Sequence, residues 1–154
     1  MMTLCSEVLS ALQGKTLVTA ESCTGGGIGA ALTAVPGSSN VYKGGIISYT
    51  NWVKHHLLGV DEALLETVGA VSAPVAEAMA RGVRETLQAD VAVSVTGLAG
   101  PGGDKFGNPV GTVFIGYCDS NTTFSRHFRF AGDRKAVRQA AIEAALNIVL
   151  EQNP

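Results

Sequence analysis

The stretch Thr19-Ala20-Glu21-Ser22-Cys23-Thr24-Gly25-Gly26-Gly27 constrains this chain more than any other. Before it, Thr16-Leu17-Val18-Thr19-Ala20 is an apolar run with β-branched members, which predicts a short buried strand. After it, the small-residue apolar stretch from Ile28 to Val35 predicts a helix. Strand, polar turn and helix start, in that order, form the join at which α/β proteins place their chemistry. The free N–H groups of a helix N-terminus face such a turn and carry the positive end of the dipole. A hydroxyl or thiol held there has an anion site beside it. The glycines let a ligand or another backbone come close. The plain alternative is a tight turn with Ser22 or Thr24 as N-cap.

At 154 residues the chain is expected to form one domain, spanning 1–154, with a real core. Its formal net charge of −2 gives no support to a nucleic-acid binder, which carries a basic surplus on one face. Three widely spaced cysteines fit neither a disulfide framework nor a CxxC zinc pattern, so a reducing cytoplasm is the expected location. Glu7 interrupts the first apolar residues and no basic segment precedes them, which argues against a signal peptide. No apolar run is long enough to cross a bilayer, so no membrane partner is expected.

Along the chain, Leu4, Cys5, Val8, Leu9 and Leu12 form one helix face, ended by Gly14. After the central turn and its helix, Pro36 to Asn40 is a loop, and Val41 to Thr50 reads as a second strand. Thr50 or Asn51 caps a helix carrying Trp52, Lys54, His55 and His56, closed by Gly59. Asp61 caps a short helix to Val68, and Ser72 with Pro74 opens a longer one to Leu87. Asp90 to Thr96 is a buried strand that runs into a second glycine-rich loop, Gly97 to Gly103. Two such loops at strand ends imply a crevice between neighbouring strands of an open sheet. Val110–Cys118 and Thr123–Phe130 form a hairpin through Asp119-Ser120-Asn121, and Gly132-Asp133 starts the last helix. Strands alternating with helices, then a hairpin, predict a three-layer α/β/α sandwich with a mixed, mostly parallel sheet.

Three constellations bear on chemistry. Gly25-Gly26-Gly27-Ile28-Gly29-Ala30 matches a dinucleotide fingerprint, but no Asp or Glu lies between Glu21 and Asp61 to hold the ribose, which rejects a Rossmann site. The side chains of that interval that can carry charge near neutral pH are all cationic or imidazole: Lys43, Lys54, His55 and His56. Beside the glycine turn they would favour an anion such as phosphate. Ser22 is a candidate nucleophile if a base reaches it, and His55, His56 and Lys54 all qualify; a lysine serves once burial leaves it neutral. Tyr49, five positions before Lys54, could relay a proton or hold the lysine. Cys23 is the rival nucleophile. Adjacent histidines on a helix point about 100° apart and no carboxylates join them, so no metal site is expected. Arg134 and Arg138 share a helix face at i and i+4, where Arg134 could grip a phosphate or pair with Asp133 or Glu143.

Ala20-Glu21-Ser22-Cys23-Thr24-Gly25-Gly26, Ser48-Tyr49-Thr50-Asn51, Gly69-Ala70-Val71-Ser72, Thr96-Gly97-Leu98-Ala99-Gly100-Pro101, Pro109-Val110-Gly111-Thr112-Val113 and Gly132-Asp133-Arg134 resemble, in this order, the C-terminal domain of CinA. This is the nicotinamide-nucleotide amidase (NMN deamidase) family, and the resemblance covers nearly the whole chain, in what looks like the stand-alone form. It implies the same sandwich fold and hydrolysis of nicotinamide mononucleotide to nicotinate mononucleotide and ammonia. It implies no metal or organic cofactor, and a pyridine nucleotide as the small-molecule partner. By motif, Ser22 is the nucleophile and Lys54 its base, with Tyr49 beside them, and Thr96 and Arg134 fall on further functional positions. Around them Thr24, Gly25, Gly26, Gly97 and Gly100 would contact substrate. Backbone N–H groups of the first loop would face the oxyanion, and the second loop would face the 5′-phosphate. The hairpin edge and the apolar terminal helices suggest a homo-oligomer. A non-catalytic nucleotide- or phosphate-binding regulatory module would use the same loops without turnover.

Overall fold

The computed structural model describes residues 1–154. Its elements run α1 (Met2–Ala11), β1 (Leu17–Glu21), α2 (Gly27–Thr33), β2 (Tyr42–Ile47), α3 (Asn51–Leu58), α4 (Glu62–Thr67), α5 (Ala73–Thr86), β3 (Val91–Gly97), β4 (Thr112–Cys118), β5 (Thr123–Arg129) and α6 (Arg134–Gln152), with a 3-10 turn at Ser38–Asn40. The expected starts of α3, α4 and α6 and the stop of α3 hold, whereas β2 ends at Ile47, short of the expected Thr50. Thr50 precedes α3 and Gly59 closes it in the left-handed region at φ +68°. Asp61 and Asp133 cap α4 and α6, their carboxylates accepting from the backbone two and three residues on.

The strands form one mixed sheet in the order β2-β1-β3-β4-β5. β1 pairs in parallel with β2 and β3, and β4 pairs antiparallel with both β3 and β5. Four of the five strands therefore point one way and β4 alone runs back. α1, α2 and α6 cover one face and α3, α4 and α5 the other, which completes the three layers.

Strand parity decides which layer each side chain enters. Leu17 lies in the core beneath α1, α2 and α6, whereas Val18 and Ala20 lie in the core beneath α3 to α5. On β3 the same alternation sends Val91, Val93 and Val95 to the first core and Ala92 to the second. The apolar faces of α1 and α6 are buried in the first core, while Met2 at the start of α1 stays exposed.

Gly82 lets α3 and α5 touch. A Cβ there would overlap the carbonyl oxygen of Leu58 at the end of α3. Ala normally stabilises a helix over Gly by about 1 kcal/mol. At this position the sign should reverse: Gly82→Ala is expected to cost about 2 kcal/mol through forced separation of the two helices, measured by urea unfolding.

Candidate active site

The site is built at the C-terminal ends of β1, β2 and β3. The Ser22 N–H donates to Val95 O at 3.0 Å, extending the β1–β3 ladder by one residue. Ser48 N–H donates to Glu21 O at 2.7 Å and does the same for β2. The chain then turns sharply through Gly25 and Gly26, whose φ values of +58° and +100° need residues without a Cβ.

Neither Ser22 nor Thr24 is the N-cap of α2; that position is Gly26. The Glu21 carboxylate reaches across the turn instead. It accepts from the Ile28 N–H at 2.8 Å, the Gly29 N–H at 3.0 Å and the Thr24 hydroxyl at 2.7 Å. The anion site expected at this helix end is thus filled by the chain's own acid. Sequence reasoning assigned Glu21 no role. The available signal was an acid closing an otherwise apolar strand, just before a helix with no capping side chain.

With the helix end satisfied, the Ser22 hydroxyl is free to face α3. Lys54 Nζ lies 2.9 Å from Ser22 Oγ and donates to Ser48 O at 2.7 Å. Lys54 is 1% exposed and no carboxylate pairs with it. Desolvation lowers its pKa from 10.5 to about 8, so a sizeable fraction of the amine is neutral near physiological pH.

The rival groups are engaged elsewhere. Cys23 is 5% exposed, belongs to the core beneath α1, α2 and α6, and burial pushes its thiol up to about 11. His55 Nδ1 bonds Val60 O at 2.7 Å, and His56 Nδ1 bonds Trp52 O at 2.9 Å. Lys43 donates to Gln88 O at 3.3 Å. Of the cationic or imidazole side chains between Glu21 and Asp61, only Lys54 reaches the glycine turn. No three His, Cys, Asp or Glu side chains converge to hold a metal ion.

A cavity of about 240 Å³ opens beside the Ser22–Lys54 pair, lined also by Cys23, Tyr49, Asn51, Ala70, Val71, Thr96 and Gly97. Thr96 donates its hydroxyl to Ala70 O at 2.8 Å, which pins the start of the second glycine loop to the α4–α5 connection. Tyr49 is 58% exposed and makes no hydrogen bond with Lys54. Its phenol oxygen instead accepts from Arg134 Nη2 at 3.0 Å, while Arg134 Nη1 donates to Gly100 O at 2.6 Å. The group that holds the lysine is the Ser48 carbonyl, which the sequence reading missed. Arg134 spans the mouth of the cavity and pairs with neither Asp133 nor Glu143. Arg138, one turn on, points to the glycine turn: its Nε donates to Cys23 O at 3.0 Å and its Nη2 to Thr24 O at 3.1 Å. Three N–H groups of that turn, on Cys23, Thr24 and Gly26, find no acceptor within the chain.

The profile of the CinA C-terminal domain matches residues 2–153. Among curated proteins, the nicotinamide-nucleotide amidohydrolase PncC of Pseudomonas putida is 48% identical over 135 residues, 88% of this chain and 84% of that protein. A CinA-like protein of Parasynechococcus marenigrum is 51% identical over 149 residues, 94% of this chain. The chain spans 35% of that relative's length. Among solved structures, the competence/damage inducible protein CihA of Agrobacterium tumefaciens superposes with a TM-score of 0.95 at 38% identity, covering 99% of this chain and 95% of that one. A competence or damage-inducible protein of Enterobacter asburiae gives 0.96 at 33% identity, covering 99% and 98%.

The buried amine carries a stability cost with a definite pH signature. Below pH 8 both folded and unfolded states hold the Lys54 proton, and the fold bears the full desolvation penalty. Between about 8 and 10.5 the folded state gives up its proton first, the unfolded state binds more protons, and stability rises with pH. At 1.36 kcal/mol per pKa unit the penalty is about 3 kcal/mol, less the hydrogen bonds the amine makes. Lys54→Met is therefore expected to be about 2 kcal/mol more stable than the parent at pH 7, the gap closing towards pH 10.5. Thermal unfolding across that range checks both the sign and the window.

Proposed function

The chain belongs to the CinA C-terminal domain family, and we propose that it hydrolyses the carboxamide of nicotinamide mononucleotide, with Ser22 as nucleophile and Lys54 as its base. The observation that carries this reading is the 2.9 Å approach of a buried, unpaired amine to the Ser22 hydroxyl. The identity to PncC supports the choice of substrate.

An amide is a poor electrophile with a poor leaving group, so it demands both an activated alkoxide and a stabilised oxyanion. In its neutral form Lys54 points a lone pair at Ser22 while a remaining N–H stays on Ser48 O. Ser22 Oγ attacks the carboxamide carbon as its proton passes to Nζ. The free N–H groups of Cys23 and Thr24 receive the developing oxyanion; one such donor contributes about 3 kcal/mol to barrier lowering. The resulting ammonium then protonates the departing nitrogen, the C–N bond breaks, and ammonia leaves a nicotinoyl ester on Ser22. Water, deprotonated by the same amine, cleaves that ester and the proton returns to Ser22. Water is the only co-reactant.

The pyridinium ring of the substrate is cationic, which favours an uncharged base beside it. Arg134 has two donors at the mouth that can exchange Gly100 O and the Tyr49 phenol for a phosphate. Binding energy gathered there positions the amide over Ser22. In this reading Tyr49 orients Arg134 and does not relay protons. Thr96 and Gly97 line the wall next to Ser22 and Cys23; Gly26, expected to contact substrate, lines a separate cavity with Glu21, Gly29 and Tyr42.

Purified protein is expected to release ammonia stoichiometrically with nicotinate mononucleotide, and Ser22→Ala to lose at least about 10³-fold in kcat. Calorimetric binding of the nucleotide by the parent chain without ammonia would mark a non-catalytic module instead. The rate should rise with pH along a limb centred near 8, as Lys54 loses its proton. Lys54→Arg, which stays charged at all accessible pH, should abolish that limb together with the activity. A full rate in Lys54→Arg would remove the lysine from the mechanism.

A further inference from the structure

The Ser22 turn leaves N–H groups without acceptors, but a backbone donor is useful to an oxyanion only if its peptide plane is fixed. In a trans peptide the C=O and the following N–H point in opposite directions. Whatever holds a carbonyl therefore aims the N–H of the same unit. The Cys23 N–H shares its unit with Ser22 O, and Ser22 O accepts from Gly25 N–H at 3.0 Å. The backbone of the turn thus fixes that donor by itself. The Thr24 N–H shares its unit with Cys23 O, and no backbone group holds Cys23 O. Its partner is Arg138 Nε at 3.0 Å, from α6 on the far side of the sheet from Lys54. The Thr24 N–H is consequently directed away from α6.

We propose that Arg138 is a positioning residue for the amide hydrolysis: its guanidinium holds the Cys23–Thr24 peptide unit so that the Thr24 N–H, beside that of Cys23, faces the oxygen of the carbonyl under attack. The inference rests on the Ser22–Lys54 reading and deepens it. The fork geometry matters. Nη2 takes Thr24 O at 3.1 Å while Nε takes Cys23 O, so two successive carbonyls are clamped by one planar group. The positive charge also polarises the peptide it holds, strengthening the opposite N–H as a donor. Arg134, the other member of the i, i+4 pair, faces the cavity mouth and does none of this.

Steady-state kinetics on nicotinamide mononucleotide and on its dephosphorylated riboside, with thermal unfolding of each variant, test the assignment. Arg138→Gln is expected to lower kcat about 30-fold, with KM changed less than about threefold, because the lost interaction matters most in the transition state. Arg138→Lys keeps the charge but not the fork and should recover part of the loss. The pH midpoint set by Lys54 should stay in place, and the effect should be equal on both substrates. A raised KM that vanishes on the riboside would make Arg138 a phosphate ligand and overturn the proposal. A lowered Tm with parental kcat would leave only a structural brace and overturn it too. Should Arg138→Gln fail to fold, Arg138→Lys decides through the same kcat readout. Ser22→Ala separates the two levels: if it retains turnover, the serine reading itself fails; if it is inactive while the Arg138 variants keep full kcat, only the positioning role falls.

Discussion

Everything at this site depends on an amine taken out of water without a counter-ion. Lys54 sits 1% exposed between a hydroxyl and a carbonyl, and neither neutralises it. An acid stands only one residue from Ser22, yet the odd parity of Glu21 on β1 turns it to the α2 face of the sheet, away from Lys54. Its carboxylate is instead saturated by two N–H groups of α2 and the Thr24 hydroxyl. The sheet thus keeps the acid and the amine on opposite faces, and Lys54 stays without a carboxylate partner.

The turn that follows Ser22 is organised by the same economy of partners. Carbonyls at Ser22, Cys23 and Thr24 are all bound, by Gly25, Arg138 and by Gly27 with Arg138 respectively. The N–H groups of Cys23 and Thr24 are not. A helix N-terminus placed directly against the cavity would supply donors in greater number, but α2 spends its first ones on Glu21. The helix end holds the chain's own acid, and the turn keeps its donors unpaired.

How far this could be read from sequence differs by residue. Caps and closures were legible because each is settled within a few positions: Asp61, Asp133 and Gly59 behave as their local chemistry dictates. The order of strands and the two glycine loops followed from hydrophobic period and turn residues. Lys54 was not legible from pattern alone, since a helix lysine is ordinarily solvated. A faint signal existed: it precedes Leu58 by four positions, and the two share the buried face of α3. His55 and His56 pointed towards an anion pocket by composition, yet nearby backbone carbonyls claim their rings. Tyr49 was expected beside the lysine because of sequence proximity. The exit from β2 turns its ring outward, and Arg134, which is 85 positions away, receives it. Contacts of that range are invisible to any local rule.

The sequence offered two adjacent candidate nucleophiles, and the pleat sends them to opposite faces of the sheet. Even-numbered residues of β1 face the α3–α5 layer and odd-numbered ones face α1, α2 and α6, as Val18, Ala20 and Leu17 do. Ser22, carried on the ladder one step past the strand by its bond to Val95, keeps the even parity and meets Lys54. Cys23 keeps the odd parity and joins the opposite core; its thiol makes no hydrogen bond with Lys54, and burial raises its pKa to about 11. Sulfur is the better intrinsic nucleophile, yet it is the wrong side of the sheet that disqualifies it. A one-residue slip of β1 against β3 would exchange the two roles and bury the serine. Which of the two side chains meets the lysine is therefore a property of sheet register, and the Thr96 hydroxyl, of even parity on β3 and bonded to Ala70 O in the α4–α5 connection, obeys the same rule on the neighbouring strand.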